Sequence, residues 1–303
     1  MKANLNTPHD IIMIRPHQFV SNPQTMSDNA FQVVACSKQI SQQAYLEVTH
    51  AAEQLTAAGI TVHLFEDEGN STPDSVFPNN WFSTHTSGQL ISYPMYVPNR
   101  RLEVRRDIID FVQQHYQVTA YRDLSPLAEQ GQFLEGTGSM VLDQQAAIAY
   151  AVASNRTDKN LFNALCQELG YQPVLFEAMD ANGQPVYHTN VLMCLAEHFV
   201  LIGLDMVPAA QRPWLLDSFA RQHKTVIALS NQQISRFCGN AIELQGSKGK
   251  VLALSSTAFQ ALTPAQIAII RQSAELLPID VSTIESAGGS LRCMIAGIHL
   301  PKR

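Results

Sequence analysis

Charge is scarce in this chain. Asp, Glu, Lys and Arg make up 15% of its 303 residues, and acids outnumber bases for a net charge of −6. That balance argues against nucleic acid or an anionic membrane as a partner, since both are held through basic surface. No apolar run reaches the roughly 20 residues that a membrane-spanning helix needs. Residues 1–14 lack a basic stretch joined to an apolar one, so no signal peptide is expected. Cysteine is sparse and scattered: Cys36, Cys166, Cys194, Cys238 and Cys293 form an odd set without C-x-x-C. Such usage points to free thiols and a cytoplasmic location. Zinc-ligand spacing is lacking too, and we expect neither metal nor cofactor.

What the chain does have is apolar content, 46%, enough to bury one large core. We expect a single catalytic domain over residues 1–303. Residues 10–15 form a short apolar run closed by Pro16. Residues 37–58 follow as an amphipathic helix, with Ile40, Ala44, Val48, Ala51, Leu55 and Ala58 on one stripe. Gly59 ends it. Strand 60–65, a polar loop, and a hairpin over 81–85 and 89–93 come next. The same order then returns: helices at 99–115 and 157–169, a fourth near Pro213, and a fifth opening at Thr263-Pro-Ala-Gln266 with a cap, a proline and a capping-box glutamine. Each leads into a strand, a loop and a hairpin. The last strand is expected from Leu291, and the N-terminal strand is the natural partner to close a ring.

Five such units place Asn80, Glu135, His188, Asn240 and Cys293 in corresponding loops, spaced by 55, 53, 52 and 53 residues. A period near fifty signals a repeat architecture. Equivalent loops of a closed ring face one axis, so residues distant in sequence meet in one pocket. Rough periodicity is common in α/β proteins and is the plainer alternative.

Cysteine, imidazole and carboxylate on one axis are the parts of nucleophilic catalysis. Cys293 follows Gly288-Gly289, where main chain can approach a ligand closely. His188 lies in Tyr-His-Thr-Asn, and Glu135 between an apolar pair and the turn Gly136-Thr137-Gly138. Taken singly, each has a bland reading as a buried thiol, a structural histidine or a solvated loop acid. Cys36, Cys166 and Cys194 read as core. Cys238 reads as a turn or pocket residue, Trp81 and Phe82 as hairpin core. Arg100, Arg101, Arg105 and Arg106 read as a solvated helix face.

Asp74-Ser-Val-Phe-Pro-Asn-Asn80, Leu134-Glu-Gly136, Ser154-Asn-Arg-Thr157, His188 and Gly288-Gly-Ser-Leu-Arg-Cys293 together resemble the guanidino-group-modifying superfamily of arginine deiminases, dimethylarginine dimethylaminohydrolases, amidinotransferases and arginine dihydrolases. The resemblance spans essentially the whole chain. It implies an α/β fold, a five-bladed propeller of pseudo-fivefold ββαβ units. Cys293 would be the nucleophile, His188 the general acid/base and Glu135 a substrate-facing carboxylate. It implies that Arg156 holds the substrate α-carboxylate, that Asp74 takes its far or amino end, and that Asn79 and Asn80 face the reacting group.

Arginine-processing relatives carry an acid at the position of Asn80, often another at Asn79, and often an Asp at the position of Gly138. Amides here suit a neutral ureido group better than a guanidinium. Tyr93 replaces an arginine that clamps carboxylate in some relatives, and Arg100 or Arg101 is the substitute. The expected reaction is citrulline to ornithine, ammonia and carbon dioxide through a covalent Cys293 intermediate, with Cys293 and His188 ion-paired at rest. An arginine dihydrolase or deiminase, an amidinotransferase and a non-catalytic binding protein are the alternatives. The expected partner is a small amino-acid substrate, with a homodimer as the default assembly.

Overall fold

The structure, a computed structural model, describes residues 6–26, 29–33, 37–180 and 182–303. Cys36 lies outside the described residues. Fifteen strands form five separate sheets of three. The first sheet holds β1 (Asp10–Pro16), β2 (Thr61–Asp67) and β15 (Ala296–Ile298). The second holds β3 (Phe82–Thr84), β4 (Gln89–Ser92) and β5 (Ala120–Asp123), and the third β6 (Met140–Asp143), β7 (Ile148–Val152) and β8 (Gln172–Phe176). The fourth comprises β9 (Met193–Leu195), β10 (Phe199–Ile202) and β11 (Thr225–Ala228), the fifth β12 (Ile242–Gly246), β13 (Gly249–Ser255) and β14 (Glu275–Ile279).

Every sheet is built alike. A central strand pairs antiparallel with an inner neighbour and parallel with an outer one, which a helical crossover delivers. The centre of the first sheet is β1, and its inner neighbour comes from the far end of the chain: Asp10 opposes Ile298 and Ile12 opposes Ala296. The ends of the chain thus complete one unit. Residues of all five inner strands (β3, β6, β9, β12 and β15) line one cavity of about 70 Å³. The sheets therefore surround a common axis, and the loops entering the inner strands meet at one end of it.

Local signals explain the crossovers. Ser37 caps the helix Lys38–Ala57, its side chain accepting from Ile40 N at 3.2 Å. Ala44, Val48, Ala51 and Leu55 are fully buried on one stripe of this helix, as the i, i+4 spacing requires. Truncating Leu55 to Ala would cost about 2–5 kcal/mol. Asp158 caps the helix Lys159–Leu169, and Gly170 ends it at φ +74°. The capping box of Thr263 and Gln266 forms on the helix Pro264–Ile270. Central strands are apolar on both faces because helices cover one side and neighbouring sheets the other; Ile11, Ile12, Met13 and Ile14 are all buried.

Two expectations need correction. Residues 99–115 are not one helix: a 3₁₀ segment Pro98–Glu103 precedes the helix Arg106–His115. Nor does the last strand begin at Leu291. The N–H groups of Cys293, Met294 and Ile295 bond to the carbonyls of Ser290, Leu291 and Arg292, three residues back. Leu291, Met294 and Ile295 are buried, so an apolar run that reads as strand is a chain of turns packed into the core. The strand starts at Ala296.

Candidate functional site

The five corresponding loops converge. Glu135 precedes the short helix Gly136–Ser139, His188 precedes Thr189–Leu192, and Asn80 ends the turn Pro78–Asn80. His188 Nε2 lies 2.7 Å from Glu135 Oε2, and Asn240 Nδ2 lies 3.2 Å from Cys293 Sγ. Asp74, Asn80, Arg100, Arg156, His188 and Cys293 line one narrow cavity with Thr25, Asn29, Tyr187 and Gly289. Its free space is about 20 Å³. That holds a water and would have to widen for a larger ligand. Asn29 and Tyr187 also wall a neighbouring cavity of about 560 Å³.

Each loop is pinned by its neighbour. Ser139 Oγ accepts from Glu135 N at 3.0 Å and donates to Arg156 O at 2.6 Å, tying the Arg156 loop to the Glu135 loop. Gly288 takes φ +82°, and a Cβ on Gly289 would lie 2.8 Å from the Phe77 ring. The glycine pair lets the cysteine loop press against the loop that carries Asp74 and Asn80. At Gly138 a Cβ would sit 2.2 Å from Asn80 Nδ2 and 2.9 Å from the His188 ring. Amide and imidazole are thus neighbours across a bare backbone.

The electrostatics are those of a buried, internally paired cluster. Glu135 is fully buried. Burial pushes its carboxyl up, but the Arg156 guanidinium at 3.3 Å, the His188 hydrogen bond and Arg100 at 3.6 Å together hold it well below the usual range. Tyr96 N also donates to its Oε1 at 2.9 Å. Burial lowers His188 to about 4, against the pull of Glu135. The imidazole is therefore neutral at pH 7, with Nε2–H donated to Glu135 and Nδ1 left as the basic nitrogen. Arg156 stacks 4.9 Å from the Tyr187 ring centroid.

Arg100 overturns the solvated-face reading. It is 2% exposed and meets Glu103 through two hydrogen bonds of 2.8 and 2.9 Å. It also donates to Asn80 Oδ1 at 3.0 Å and lies 3.6 Å from Asp74 Oδ2. The i, i+3 pairing in a 3₁₀ turn puts Arg100 and Glu103 on one inward face. Burial pushes Glu103 up to about 7 despite Arg100, and raises Asp74 as well. The acid three residues after Arg100 was the available sequence signal. Arg101, by contrast, pairs with Glu129 near the surface.

Other candidates fall outside the cavity. Asn79 is buried without lining it, and its side chain has no hydrogen-bond partner among the described residues. Tyr93 is core, its hydroxyl 2.7 Å from Ser83 Oγ. Cys166 and Cys194 are buried thiols, and Cys238 donates to Ala258 O at 3.3 Å. Trp81 and Phe82 are packed in the hairpin core. Nor is His188 hydrogen-bonded to the sulfur among the described residues; its Nε2 meets Glu135. Cys293 Sγ instead faces the amides of Asn190 at 3.4 Å and Asn240 at 3.2 Å.

No curated protein matches in sequence. Among solved structures, the N-terminal domain of ArgZ, an arginine dihydrolase from the ornithine-ammonia cycle in cyanobacteria, superposes with TM-score 0.76 at 14% identity, over 96% of this chain and 98% of that one. Unliganded AgrE gives 0.76 at 16% identity over 97% of this chain, which spans 40% of AgrE's length. A dimethylarginine dimethylaminohydrolase adduct with S-methyl-L-thiocitrulline gives 0.64 at 15%, over 95% and 98%. At such identities the likeness establishes the fold. A family model described as N,N dimethylarginine dimethylhydrolase, eukaryotic, matches residues 15–300. Loops, cavity and sequence pattern meet there: the chain belongs to that family, within the guanidino-group-modifying superfamily its motifs resemble.

Proposed function

We propose that this protein is a hydrolase of the ureido group of a small amino acid, converting citrulline to ornithine, ammonia and carbon dioxide. In this reading one catalytic domain spans residues 1–303 and the five sheets are blades of a propeller. The supporting observation is the orientation of Asn80. Its Oδ1 accepts from Arg100, a group that can only donate, so the amide nitrogen is the end left over. That Nδ2 is buried and has no partner among the described residues. A ureido oxygen accepts such a hydrogen bond. A guanidinium has only donors and would leave the amide unsatisfied. The buried charges are also nearly balanced, Asp74, Glu103 and Glu135 against Arg100 and Arg156, which suits a substrate neutral at its reacting end.

The mechanism follows from the placements. As Cys293 Sγ bonds to the ureido carbon, its proton passes to His188 Nδ1 and the carbonyl electron pair moves onto oxygen, near Asn80 Nδ2. Collapse breaks the bond to the ornithine nitrogen, which takes the proton from His188 and leaves an S-carbamoyl cysteine. Water, deprotonated by His188, then displaces the thiolate, and the carbamic acid released falls apart to ammonia and carbon dioxide. Glu135 holds the imidazole tautomer throughout. Arg156 takes the substrate carboxylate. Asp74 Oδ1, buried and without a partner among the described residues, takes its ammonium.

A second reading, arginine dihydrolase, draws on the carboxylates of Asp74 and Glu135 at and behind the cavity. Purified protein incubated separately with citrulline and with arginine distinguishes the two. Ornithine and one ammonia from citrulline, with arginine untouched and Cys293→Ala inactive, is the expected result. Two ammonia from arginine would establish the dihydrolase, and citrulline accumulating from arginine would overturn the reading of Asn80. Ammonia released without any amine acceptor excludes an amidinotransferase.

A further inference from the structure

An attacking sulfur carries negative charge, and among the described residues no cation is hydrogen-bonded to Cys293; the neighbouring guanidinium of Arg292 acts on it only through its charge and donates its hydrogen bond to Ile295 O. His188 is held by Glu135 at 2.7 Å, while Arg156 and Arg100 face the carboxylates. The groups bonded to Sγ are two amides, Asn190 Nδ2 at 3.4 Å and Asn240 Nδ2 at 3.2 Å, each at most 1% exposed. The orientation of Asn240 is determined, because the same nitrogen lies 2.8 Å from the carbonyl of Asn190, which only accepts.

The arrangement is built rather than incidental. Asn240 sits in a turn whose N–H bonds to Phe237 O at 2.8 Å, with Phe237 at φ +60°, a costly conformation for an aromatic residue. A Cβ on Gly239 would lie 2.5 Å from Val191 O, so glycine there lets the turn press onto the short helix carrying Asn190. Both Oδ1 atoms are buried without partners among the described residues. A buried orphan acceptor is unfavourable, and a leucine of similar size would leave none. Amides at these two positions are explained by what their nitrogens touch.

We propose that Asn190 and Asn240 form an amide clamp on the sulfur of Cys293. Once the thiol proton has passed to His188, the two N–H groups hold the charge on Sγ. In the second half-reaction water bonds to the carbamoyl carbon, the C–S bond breaks, and its electron pair returns to sulfur against the same donors. Both asparagines touch the reacting atom and count as catalytic residues. The assignment rests on Cys293 being the nucleophile.

The test uses the full chain with Asn190→Leu, Asn240→Leu and Asn190→Asp. Two quantities are read at fixed neutral pH: the rate at which iodoacetamide labels Cys293, located by peptide mass, and kcat with KM. Each leucine variant is expected to slow labelling and kcat about tenfold, the worth of a hydrogen bond to a charged group, with KM little changed. Asn190→Asp keeps the shape but sets a carboxylate against the sulfur, so it should label more slowly than Asn190→Leu. A structural role alone gives the opposite order, because the isosteric acid disturbs packing less. Wild-type labelling rates in a folded leucine variant, or an aspartate variant faster than the leucine one, would overturn the clamp. Should the leucine variants not fold, Asn190→Asp against wild type still decides, since the clamp requires slower labelling. Wild-type protein that stays active after Cys293 is labelled would instead overturn the nucleophile reading.

Discussion

Adding one methyl group at Gly138 separates stability from activity. Gly138 lies in the short helix Gly136–Ser139 and is absent from the glycines with positive φ. The backbone therefore accepts alanine, and helix propensity favours it by about 0.5–1 kcal/mol. Sterically the opposite holds. The new Cβ would sit 2.2 Å from Asn80 Nδ2, 2.9 Å from His188 Nδ1 and 2.9 Å from its Cε1, all inside van der Waals contact. Neither neighbour gives easily, since Asn80 is tied to Arg100 at 3.0 Å and His188 to Glu135 at 2.7 Å. Relief requires a shift of roughly 1 Å in one of them, and overpacking of this kind costs about 1–3 kcal/mol. Net stability should thus fall by no more than about 2.5 kcal/mol. A displacement of about 1 Å in a reacting group lowers rate about a hundredfold. Gly138→Ala is expected to melt near the wild-type temperature while kcat on citrulline drops about a hundredfold. Thermal unfolding and steady-state kinetics on one preparation measure both. Wild-type kcat in a folded Gly138→Ala protein would refute the placement of Asn80 and His188 against the reacting group.

Asn80→Asp removes the free N–H donor, so kcat/KM for citrulline should fall about a hundredfold; equal turnover would sink the ureido reading. Glu135→Gln takes the charge from behind His188 and should cut kcat by about tenfold to a hundredfold, read by ammonia release, with a loss under twofold counting against the tautomer role. Because burial lowers His188 to about 4, its base form is lost only as pH falls through about 4. The acid limb of kcat/KM should therefore lie well below the ordinary histidine value of 6.5; a limb at 6.5 contradicts this. Glu243 is buried, and desolvation raises it from 4.5 to about 7. Its contribution to stability is present below 4.5 and lost as pH rises through about 7, on the order of 3 kcal/mol. Denaturant midpoints at about pH 5 and about pH 8 should diverge less in Glu243→Gln than in wild type.

Much was legible because local rules act over short spans. Ser37, Gly59, Gly170 and the Thr263–Gln266 box mark helix ends through hydrogen bonds to backbone a few residues away. The apolar stripe of the helix Lys38–Ala57 is visible for the same reason. Repetition of these signals disclosed five units, and a period near fifty implied that Asn80, Glu135, His188, Asn240 and Cys293 share an axis. Nothing in the sequence separates the turn at Cys293 from a strand, because Leu291, Met294 and Ile295 are apolar whether they lie in a strand or wrap into a core.

The chain's own order thus determined the count of units, the ends of most helices, and which loops would face one another. Only the tertiary structure decided how charge is shared among them. Arg100 looks like any surface arginine until Glu103, Asp74 and Asn80 close around it. By sequence His188 reads as the partner of a thiolate, whereas in the structure it bonds to Glu135 and two asparagines meet the sulfur. Periodicity is written into neighbouring residues. The partner of a buried charge is selected largely by contacts between loops from 21 to 103 residues apart, where a few tenths of an ångström decide which atoms bond.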